Sequence, residues 1–426
     1  MKRHILTLLL LLPLLSANAH LHREDEHTHT FGYKNEVDSA TVIDSFHKNA
    51  PEDFQNPGIP HAAIIGKGCK FIVGMGGFIK GVVGMDFGHP ISTPDEFITS
   101  QIPMGPTDGD GGRFNLSAQQ SQLFLNAVIL PGSDNEIGAF ISANFLNDYV
   151  PVLQFAYLKY RGFQAGYDYS LFSDPACSPP AVDYEGPSSN TSNPVAGMCY
   201  THTFGKNRNW EAGIGIELPQ YSFTTVEGRT KSVYQRVPDI PLEVKYSWDS
   251  GSSWVRGSAM LRNLYYRDIT TGRNIDKFGY GFQLSGGWAF LNHFTLFYQG
   301  VWGKGIGSMI QDTVGEGLDL TPADGDNSLN PVELWGGFLA LQYDITDRWT
   351  CSTTYSQLRT YSPRFEGGTT PWAELYKYAQ YVSANVFFHA THYLDFGLEH
   401  IWGRRVNYSG EKAADNRLQA CIQLSF

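Results

Sequence analysis

The sequence has little of what stabilises most secreted domains and most helical membrane proteins. Its 426 residues include only five cysteines, too few for a disulfide scaffold, and only 17% of them are charged. No stretch of the sequence reaches the roughly 18 consecutive apolar residues that a transmembrane helix needs. The net charge of -11 and the isoelectric point near 5.6 argue against nucleic acid as a partner. The chain must therefore gain its stability from burial and backbone pairing.

The beginning of the chain has the three-part pattern of a secretory signal peptide. Lys2 and Arg3 precede an apolar run at residues 5–15, and Ala17 and Ala19 supply a small-residue cleavage site. We expect residues 1–19 to be removed, so that the mature protein begins at His20. The apolar run is too short to cross a bilayer. The predicted destinations are the periplasm, the outer membrane or the medium.

Aromatic residues make up 14% of the sequence, and there are 45 glycines, yet the mean hydropathy is -0.25. In a membrane protein these values agree only if half of each spanning segment faces water. Residues 416–426 show such a pattern, because apolar and polar residues alternate up to the last residue, and this alternation predicts a strand between lipid and water. The apolar face carries Leu418, Ala420, Ile422, Leu424 and Phe426, and the polar face carries Arg417, Gln419, Cys421, Gln423 and Ser425.

About sixteen strand segments lie between residues 69 and 426. Tight turns and long loops alternate between them, and we expect this alternation to hold throughout, as in outer-membrane barrels with short periplasmic turns and long external loops. A soluble β-sandwich is the alternative, but a sandwich has no reason to sort its connections by length. The sequence therefore predicts an all-β fold, in which residues 67–426 form a porin-like transmembrane antiparallel β-barrel.

Residues 20–66 are polar and precede the barrel. They contain several prolines, a short helical pattern and four histidines: His20, His22, His27 and His29. This composition is compatible with a periplasmic arm and with a plug of the barrel. The histidines could bind a metal ion, but tails rich in histidine and acidic residues are usually solvated. We therefore predict no metal site.

Tryptophans are expected at strand ends or on apolar faces, where an aromatic girdle lies at the two membrane interfaces. The residues placed there are Trp210, Trp248, Trp254, Trp288, Trp302, Trp335, Trp349 and Trp402.

A barrel of this size has a water-filled lumen, and the inward side chains decide what passes through it. By strand parity, the predicted pore-lining basic residues are Lys80, Lys245, Arg256 and Arg262. A row of cations in a narrow pore favours anions. The alternative is a lumen of mixed charge without selectivity, and the predicted pore-lining acidic residues are Glu211, Glu217, Glu243, Asp395 and Glu399.

The loop at residues 304–331 is the predicted constriction, because its apolar residues need cover that an external loop in water does not provide. These residues are Met309, Ile310, Val314, Leu318 and Leu320. Packing over the rim or against a neighbouring subunit is the alternative. Asp-Gly turns at residues 108–111 and 324–327 offer oxygen ligands for Ca²⁺, but neither has a complete calcium-binding loop.

Cys177 and Cys199 flank the third external loop, and an oxidising compartment favours a disulfide between them. The motifs of serine hydrolases, zinc proteases and phosphate-binding loops are missing from the sequence. We therefore expect no enzymatic activity, no catalytic residues and no cofactor.

Three short stretches, two of them glycine-rich, are similar to those of a known family: residues 238–241 (PDIP), residues 279–286 (GYGFQLSG) and residues 298–307 (YQGVWGKGIG), the last followed by Asp312. With these motifs, most of residues 69–426 resembles the DcaP-like outer-membrane porins. The resemblance implies a trimer of sixteen-stranded barrels with a basic constriction that passes dicarboxylates and similar anions. The long N-terminal heptad segment of some relatives is missing here.

The sequence thus favours an outer-membrane porin of a Gram-negative bacterium, through which small hydrophilic solutes diffuse with a preference for anions such as dicarboxylates. The expected partners are outer-membrane lipids, small anionic solutes and, from the resemblance, two further copies of the chain. The alternative is a structural or adhesive surface barrel whose lumen is plugged, for which residues 20–66 are a candidate.

Overall fold

A computed structural model describes residues 29–32, 39–51, 58–106, 111–323 and 326–426. The predicted signal peptide, the histidines at positions 20, 22 and 27, residues 108–110 of the first Asp-Gly turn and residues 324–325 of the second lie outside these ranges. Within them, no helix is long and apolar enough to cross a membrane.

The described residues contain one α-helix, α1 (Ser39–Asn49), and short 3-10 turns at Lys67–Cys69, Thr99–Gln101, Pro175–Cys177, Asp249–Gly251, Gly307–Met309, Gln311–Thr313 and Trp372–Glu374. The strands are β1 (His29–Gly32), β2 (Ala62–Ile65), β3 (Phe71–Phe87), β4 (Gly112–Ser117), β5 (Gln122–Ile129), β6 (Ile137–Asn147), β7 (Val150–Tyr160), β8 (Phe163–Tyr169), β9 (Pro194–Phe204), β10 (Trp210–Glu217), β11 (Thr230–Ser232), β12 (Ile240–Trp248), β13 (Ser253–Asp268), β14 (Arg273–Phe290), β15 (Phe294–Lys304), β16 (Leu320–Ala323), β17 (Asp326–Pro331), β18 (Glu333–Thr346), β19 (Trp349–Tyr361), β20 (Tyr376–His389), β21 (Leu394–Asn407) and β22 (Lys412–Ser425).

The strands form a closed antiparallel barrel whose wall has sixteen positions. Each wall strand pairs with its neighbours in the chain, and β22 closes the ring on β3 from Arg417 opposite Asp86 to Ser425 opposite Phe78. β4 and β5 follow each other along one wall position, since both pair with β3. The predicted fold class is confirmed.

The two faces of each wall strand differ because successive side chains point to opposite sides. In β22, Leu418 is 45% exposed on the outside, whereas Arg417 and Gln419 are buried inside. The same alternation runs along β3 and β13. The predicted assignment of apolar residues to the outer face and polar residues to the inner face agrees with the structure.

The connections at one end of the barrel are all short, the longest being residues 130–136 between β5 and β6. We call this end the short-turn end. The predicted strict alternation is wrong at the other end, where residues 148–149, 269–272 and 408–411 also form short turns. At the first of these, Asp148 and Tyr149 both have positive φ angles, which is the geometry of a two-residue hairpin turn.

Aromatic side chains form rows on the outer face. The register places Phe282, Trp302 and Trp335 side by side towards the long-loop end, and Trp349, Phe388 and Phe396 towards the short-turn end. Trp254 departs from the prediction: it is 3% exposed and points into the barrel, where its Nε1 donates to Asp174 at 3.1 Å. Its inward direction follows from its parity with Arg256, two residues further along β13.

The N-terminal segment joins the barrel at the short-turn end. β2 pairs with β3 from Ala62 opposite Met75 to Ile65 opposite Ile72, beyond the point where β22 ends. β1 pairs in parallel with β2. The helix α1 lies inside the barrel against β5 and β6.

Candidate functional site in the barrel lumen

The connection between β8 and β9, residues 170–193, folds into the barrel and is called the lumen loop below. Its apolar residues Phe172, Cys177 and Val182 are buried, and so are its polar residues Asp174 and Thr191. Small polar side chains suit this position because the inner wall offers hydrogen-bond partners that water would otherwise supply.

The lumen loop enters along the wall formed by β10, β13 and β14. Glu217 accepts hydrogen bonds from the Ser170 hydroxyl and the Leu171 amide, both at 2.8 Å. Farther along, Asp174 accepts the hydroxyl of Ser285 at 2.7 Å as well as the indole N–H of Trp254. The first turn of the loop is therefore bound to the wall through two carboxylates.

The middle of the lumen loop reaches the opposite wall. The amide N–H groups of Val182 and Asp183 donate to Glu399 on β21 at 2.9 and 2.8 Å. Lys80 on β3 donates from Nζ to the Val182 carbonyl at 2.9 Å. In the ring of sixteen positions, β3 lies across the lumen from β13, so the loop spans the whole lumen.

The loop then returns along β19 and β15. The Ser189 amide donates to the Ser356 hydroxyl at 3.1 Å, and Gln299 donates from Nε2 to the Ser189 carbonyl at 2.7 Å. Thr191 donates to Gln283 on β14 at 2.8 Å. Contacts on both sides of the barrel therefore hold the lumen loop across the lumen.

The predicted constriction loop, residues 304–331, also folds inwards. Of its five apolar residues, four are buried, whereas Val314 is 47% exposed. This loop interlocks with the lumen loop, since the backbone N–H of Gln311 donates to the backbone carbonyl of Asn190 at 2.9 Å. The sequence therefore identified one inward loop and missed the one that spans the lumen, which has no apolar pattern to mark it.

A third connection, residues 88–111, joins the same cluster of loops. The Phe97 amide donates to Asp183 at 2.8 Å, and the Thr99 amide and hydroxyl donate to Asp312. The three loops are thus held together by carboxylates that accept backbone and hydroxyl hydrogen bonds.

The predicted basic residues Arg256 and Arg262 lie inside the barrel, but they do not form an open ladder. Arg256 is 3% exposed and pairs with Glu243, with Asp174 at 3.9 Å. Arg262 is 1% exposed and lies between two carboxylates. Its partners are Asp239 at 3.1 Å and Asp319 at 3.0 Å. Two carboxylates near each guanidinium cancel its charge, so these arginines mainly fix the loops.

The two predicted lysines also lie on the inner face. Lys80 is buried and binds the lumen loop, as described above. Lys245 is half-buried, with Nζ 5.9 Å from the ring centre of Trp254, and in the register it lies opposite Glu211 on β10 and Arg256 on β13.

The predicted acidic residues have different environments. Glu217, Glu243 and Glu399 are buried and bound by the loop or by arginine. Asp395 lies near the short-turn end, with Oδ1 2.6 Å from Nδ1 of His389. Glu211 lines a cavity described next.

A cavity of about 540 Å³ lies between the lumen loop and the short-turn end of the barrel. Its lining is charged and of mixed sign, and includes Lys48, Lys159, Arg208, Glu211, Glu217 and Glu243. A polar space of this size can hold water and small hydrophilic solutes.

The predicted disulfide between Cys177 and Cys199 is wrong. All five cysteines lie in the described part of the chain and are free thiols. The Sγ of Cys177 is buried 3.8 Å from Oε1 of Gln299 on β15, whereas Cys199 lies in β9 opposite Gln164 and Gly215. The inward folding of the lumen loop carries Cys177 away from β9.

Arg417 on β22 is a loop anchor that the sequence analysis placed on the inner face without a role. Its Nε lies 2.6 Å from Oδ1 of Asp86, and its guanidinium also donates to the carbonyls of Thr93 and Pro94. An arginine at an inward position of a strand is the signal that could have identified it, because a buried guanidinium needs several acceptors.

Two aspartates of the loops have strongly raised pKa values. Burial, together with the nearby Glu399, raises the pKa of Asp183 to about 7, and burial raises the pKa of Asp312 to about 7. The ordinary value is 3.8. These carboxyls are therefore protonated in the seated loops at acidic pH.

Arg262→Ala is expected to loosen the loop at residues 304–331. The substitution leaves Asp239 and Asp319 buried without their cation, which costs about 3–5 kcal/mol. Proteolysis of the folded barrel should cut this loop much faster than in the parent protein. Arg273→Ala, at an exposed position on β14, is the control. Equal cleavage rates in all three proteins would contradict the anchoring role.

The seating of the loops is expected to weaken as the pH rises. Because the folded pKa values of Asp183 and Asp312 exceed the unfolded value, protonation stabilises the seated loops at low pH. That contribution is lost progressively as the pH rises from about 4 to above about 7. Proteolysis of the loops should accelerate over this range. In Asp183→Asn plus Asp312→Asn the acceleration should be reduced, and an unchanged pH profile would argue against the two carboxyls.

Comparison with known proteins identifies the fold. No protein-family model matches the chain, and no curated protein is significantly similar to it in sequence. Among solved structures, the outer membrane channel DcaP of Acinetobacter baumannii is 18% identical and has a TM-score of 0.70, covering 85% of this chain and 99% of that one.

Two more distant structures have the same general fold. OmpT, an outer membrane protein of Vibrio cholerae, is 10% identical with a TM-score of 0.50, covering 85% of this chain and 99% of its own. OmpF of Salmonella typhi, solved with daunomycin, is 12% identical with a TM-score of 0.50, covering 84% and 98%. The resemblance to DcaP-like porins is therefore confirmed at the level of the fold, and this chain has the barrel fold of the DcaP channel.

Proposed function

We propose that the protein is a porin through which small hydrophilic solutes diffuse passively across the outer membrane of a Gram-negative bacterium. The observation that carries the proposal is the barrel itself, with an apolar outer face between two aromatic rows and a polar lumen crossed by one loop. Such a wall suits lipid outside and water inside. The short-turn end faces the periplasm in this proposal.

The lumen loop supports a channel with a defined constriction. Its anchors lie on both sides of the barrel, at Asp174 and at Val182, and they hold it across the lumen. A loop fixed in this way narrows the pore and selects solutes by size and charge. The charged cavity below it provides a hydrated path towards the periplasm.

We further propose a preference for anions such as dicarboxylates, as the resemblance implies. The support no longer comes from Arg256 and Arg262, whose charges are cancelled by carboxylates. It comes from Lys159 on the inner face of β7. Lys159 directs Nζ to the carbonyls of Lys48 and Ala50 rather than to a carboxylate, so its positive charge acts on passing ions.

Copies of the chain are proposed to associate through the outer face of β19–β21, and the resemblance implies three copies. In the register, Gln357, Gln380 and Arg404 lie in one outward row. The Tyr355 hydroxyl links the two glutamine side chains: it accepts a hydrogen bond from Nε2 of Gln380 at 3.2 Å and donates one to Oε1 of Gln357 at 3.1 Å. Polar groups are costly against lipid, whereas a protein neighbour can bind them.

The alternative is a structural or adhesive barrel with a closed lumen. The interlocking of the lumen loop with residues 88–111 and 304–331 favours it, because three seated loops could block the pore. Conductance in planar bilayers separates the two functions. Discrete channel steps are expected from the purified protein, and a protein that inserts but never conducts would rule out the porin.

The contribution of Lys159 is tested by Lys159→Gln, in which the glutamine keeps a hydrogen-bond donor. One unit charge at about 8 Å in water changes an ion's energy by about 0.5 kcal/mol, or roughly twofold in occupancy. Reversal potentials in asymmetric KCl should therefore move towards cations. Lys206→Ala, on an exposed turn, is the control. A shift no larger than that of the control would rule out Lys159 as the source of selectivity.

The association surface is tested by Gln357→Leu plus Gln380→Leu. Each polar contact between membrane segments contributes about 0.6 kcal/mol, so the change should lower the fraction of oligomer measured by chemical cross-linking in detergent. His202→Leu removes a polar group from the exposed outer face of β9 and is the control. Unchanged cross-linking in the double variant would remove this surface from consideration.

A further inference from the structure

We propose that α1 is a resident plug that narrows the periplasmic mouth of the pore. This inference rests on the proposed channel function, since a plug matters only where solutes pass. The helix lies inside the barrel at the short-turn end, where its contacts involve the inner faces of β3, β5, β6 and β7.

One side of α1 is buried against the wall. Val42 and Phe46 are almost completely inaccessible, and they pack with Ile72 of β3 and Val128 of β5. Burying two side chains of this size contributes about 3–6 kcal/mol. The apolar contact is therefore large enough to keep a short helix in place.

Asparagine side chains fix the position of α1 on the wall. Asn49 donates from Nδ2 to Oδ1 of Asn126 at 2.7 Å and to the Ala139 carbonyl at 3.0 Å. Asn126 donates in return to the Phe46 carbonyl at 3.1 Å. Both asparagines are buried, so breaking this pair would leave polar groups without water or a partner.

The last turn of α1 is bound by β7. Tyr157 donates its hydroxyl to the Asn49 carbonyl at 2.8 Å. Lys159 donates from Nζ to the carbonyls of Ala50 at 3.1 Å and Lys48 at 3.3 Å. These carbonyls lie at the negative end of the helix dipole, where a cation is stabilising.

The wall is shaped to receive this segment. A Cβ on Gly138 of β6 would overlap Asn49, and a Cβ on Gly74 of β3 would overlap Pro60. Neither glycine has a φ angle that requires glycine. The close approach of the N-terminal segment explains why these two positions lack a side chain. The wall is therefore complementary in shape to the N-terminal segment.

The opposite side of α1 faces the lumen. Asp44 and Lys48 form an exposed ion pair of 2.6 Å, and Lys48 lines the charged cavity. A helix with its side chains is about 10–12 Å wide. A sixteen-stranded barrel has a lumen of about 20 Å between side chains, so α1 occupies roughly a third of the opening.

Val42→Asp plus Phe46→Asp tests the plug in the full-length protein, because two carboxylates cannot remain in the apolar contact. Release of α1 should raise single-channel conductance by up to about 1.5-fold, the limit for restoring a third of the cross-section. His202→Leu, on the outer face of β9, should leave conductance unchanged. An unchanged conductance in the double variant would overturn the proposal.

A reversible cross-link provides the second measurement. A Cβ on Gly138 would lie 3.1 Å from Cβ of Asn49. This is a few tenths of an ångström shorter than in a disulfide, so Asn49→Cys plus Gly138→Cys should form one in the folded barrel after a small shift. Added to the aspartate variant, the disulfide should restore the parent conductance, and reductant should raise it again. Asn49→Cys alone, which keeps the native thiols, is the control.

The outcomes separate this inference from the channel function. A parent protein without channel steps would overturn the porin and the plug together. A parent that conducts, with equal conductance in the oxidised and reduced variants, would overturn only the plug. If the aspartate variant does not insert, the cross-link alone decides: failure of the two cysteines to pair in the folded barrel would show that α1 is not seated.

Discussion

The structure depends on the backbone hydrogen bonds between β3 and β22, which close the sheet into a ring. A sheet of this length has two edges of unpaired N–H and C=O groups unless its ends meet. Once they meet, every side chain points either outwards or inwards. The outer face can then be mainly apolar, and most polar residues of the wall are directed into one enclosed space.

The filling of that space follows from its polarity. Inward side chains of Glu217, Glu399 and Lys80 need partners, and the lumen loop provides its backbone and hydroxyl groups. Buried arginines such as Arg262 carry carboxylates on two sides, which balances charge where water is scarce. Charged residues on the inner wall therefore serve first to position the loops.

The wall was predictable because its signal is local and repeated. Alternation turned Lys80, Arg256 and Arg262 inwards, since parity alone sets the direction of a side chain. The lumen loop was not predictable in this way: its serines and asparagines have no period, and their burial depends on partners more than a hundred residues away, such as Gln299. The prediction of a disulfide between Cys177 and Cys199 was wrong for the same reason. Nearness in sequence does not show whether the loop between two cysteines folds into the barrel. The division of the chain at residues 19 and 66 remains a prediction.

The pairing of β2 with β3 has a consequence for how the molecule forms. One edge of β3 pairs with β22 along most of its length and with β2 near its beginning. This edge is therefore completed by one segment that precedes β3 in the sequence and one that follows it. The ion pair between Asp86 and Arg417 joins residues separated by 331 positions. Contacts of such separation form late, because the entropy of closing the chain must be overcome before they contribute. The seam at β3 is therefore the natural last step of folding, and until then the barrel is an open sheet with a growing edge.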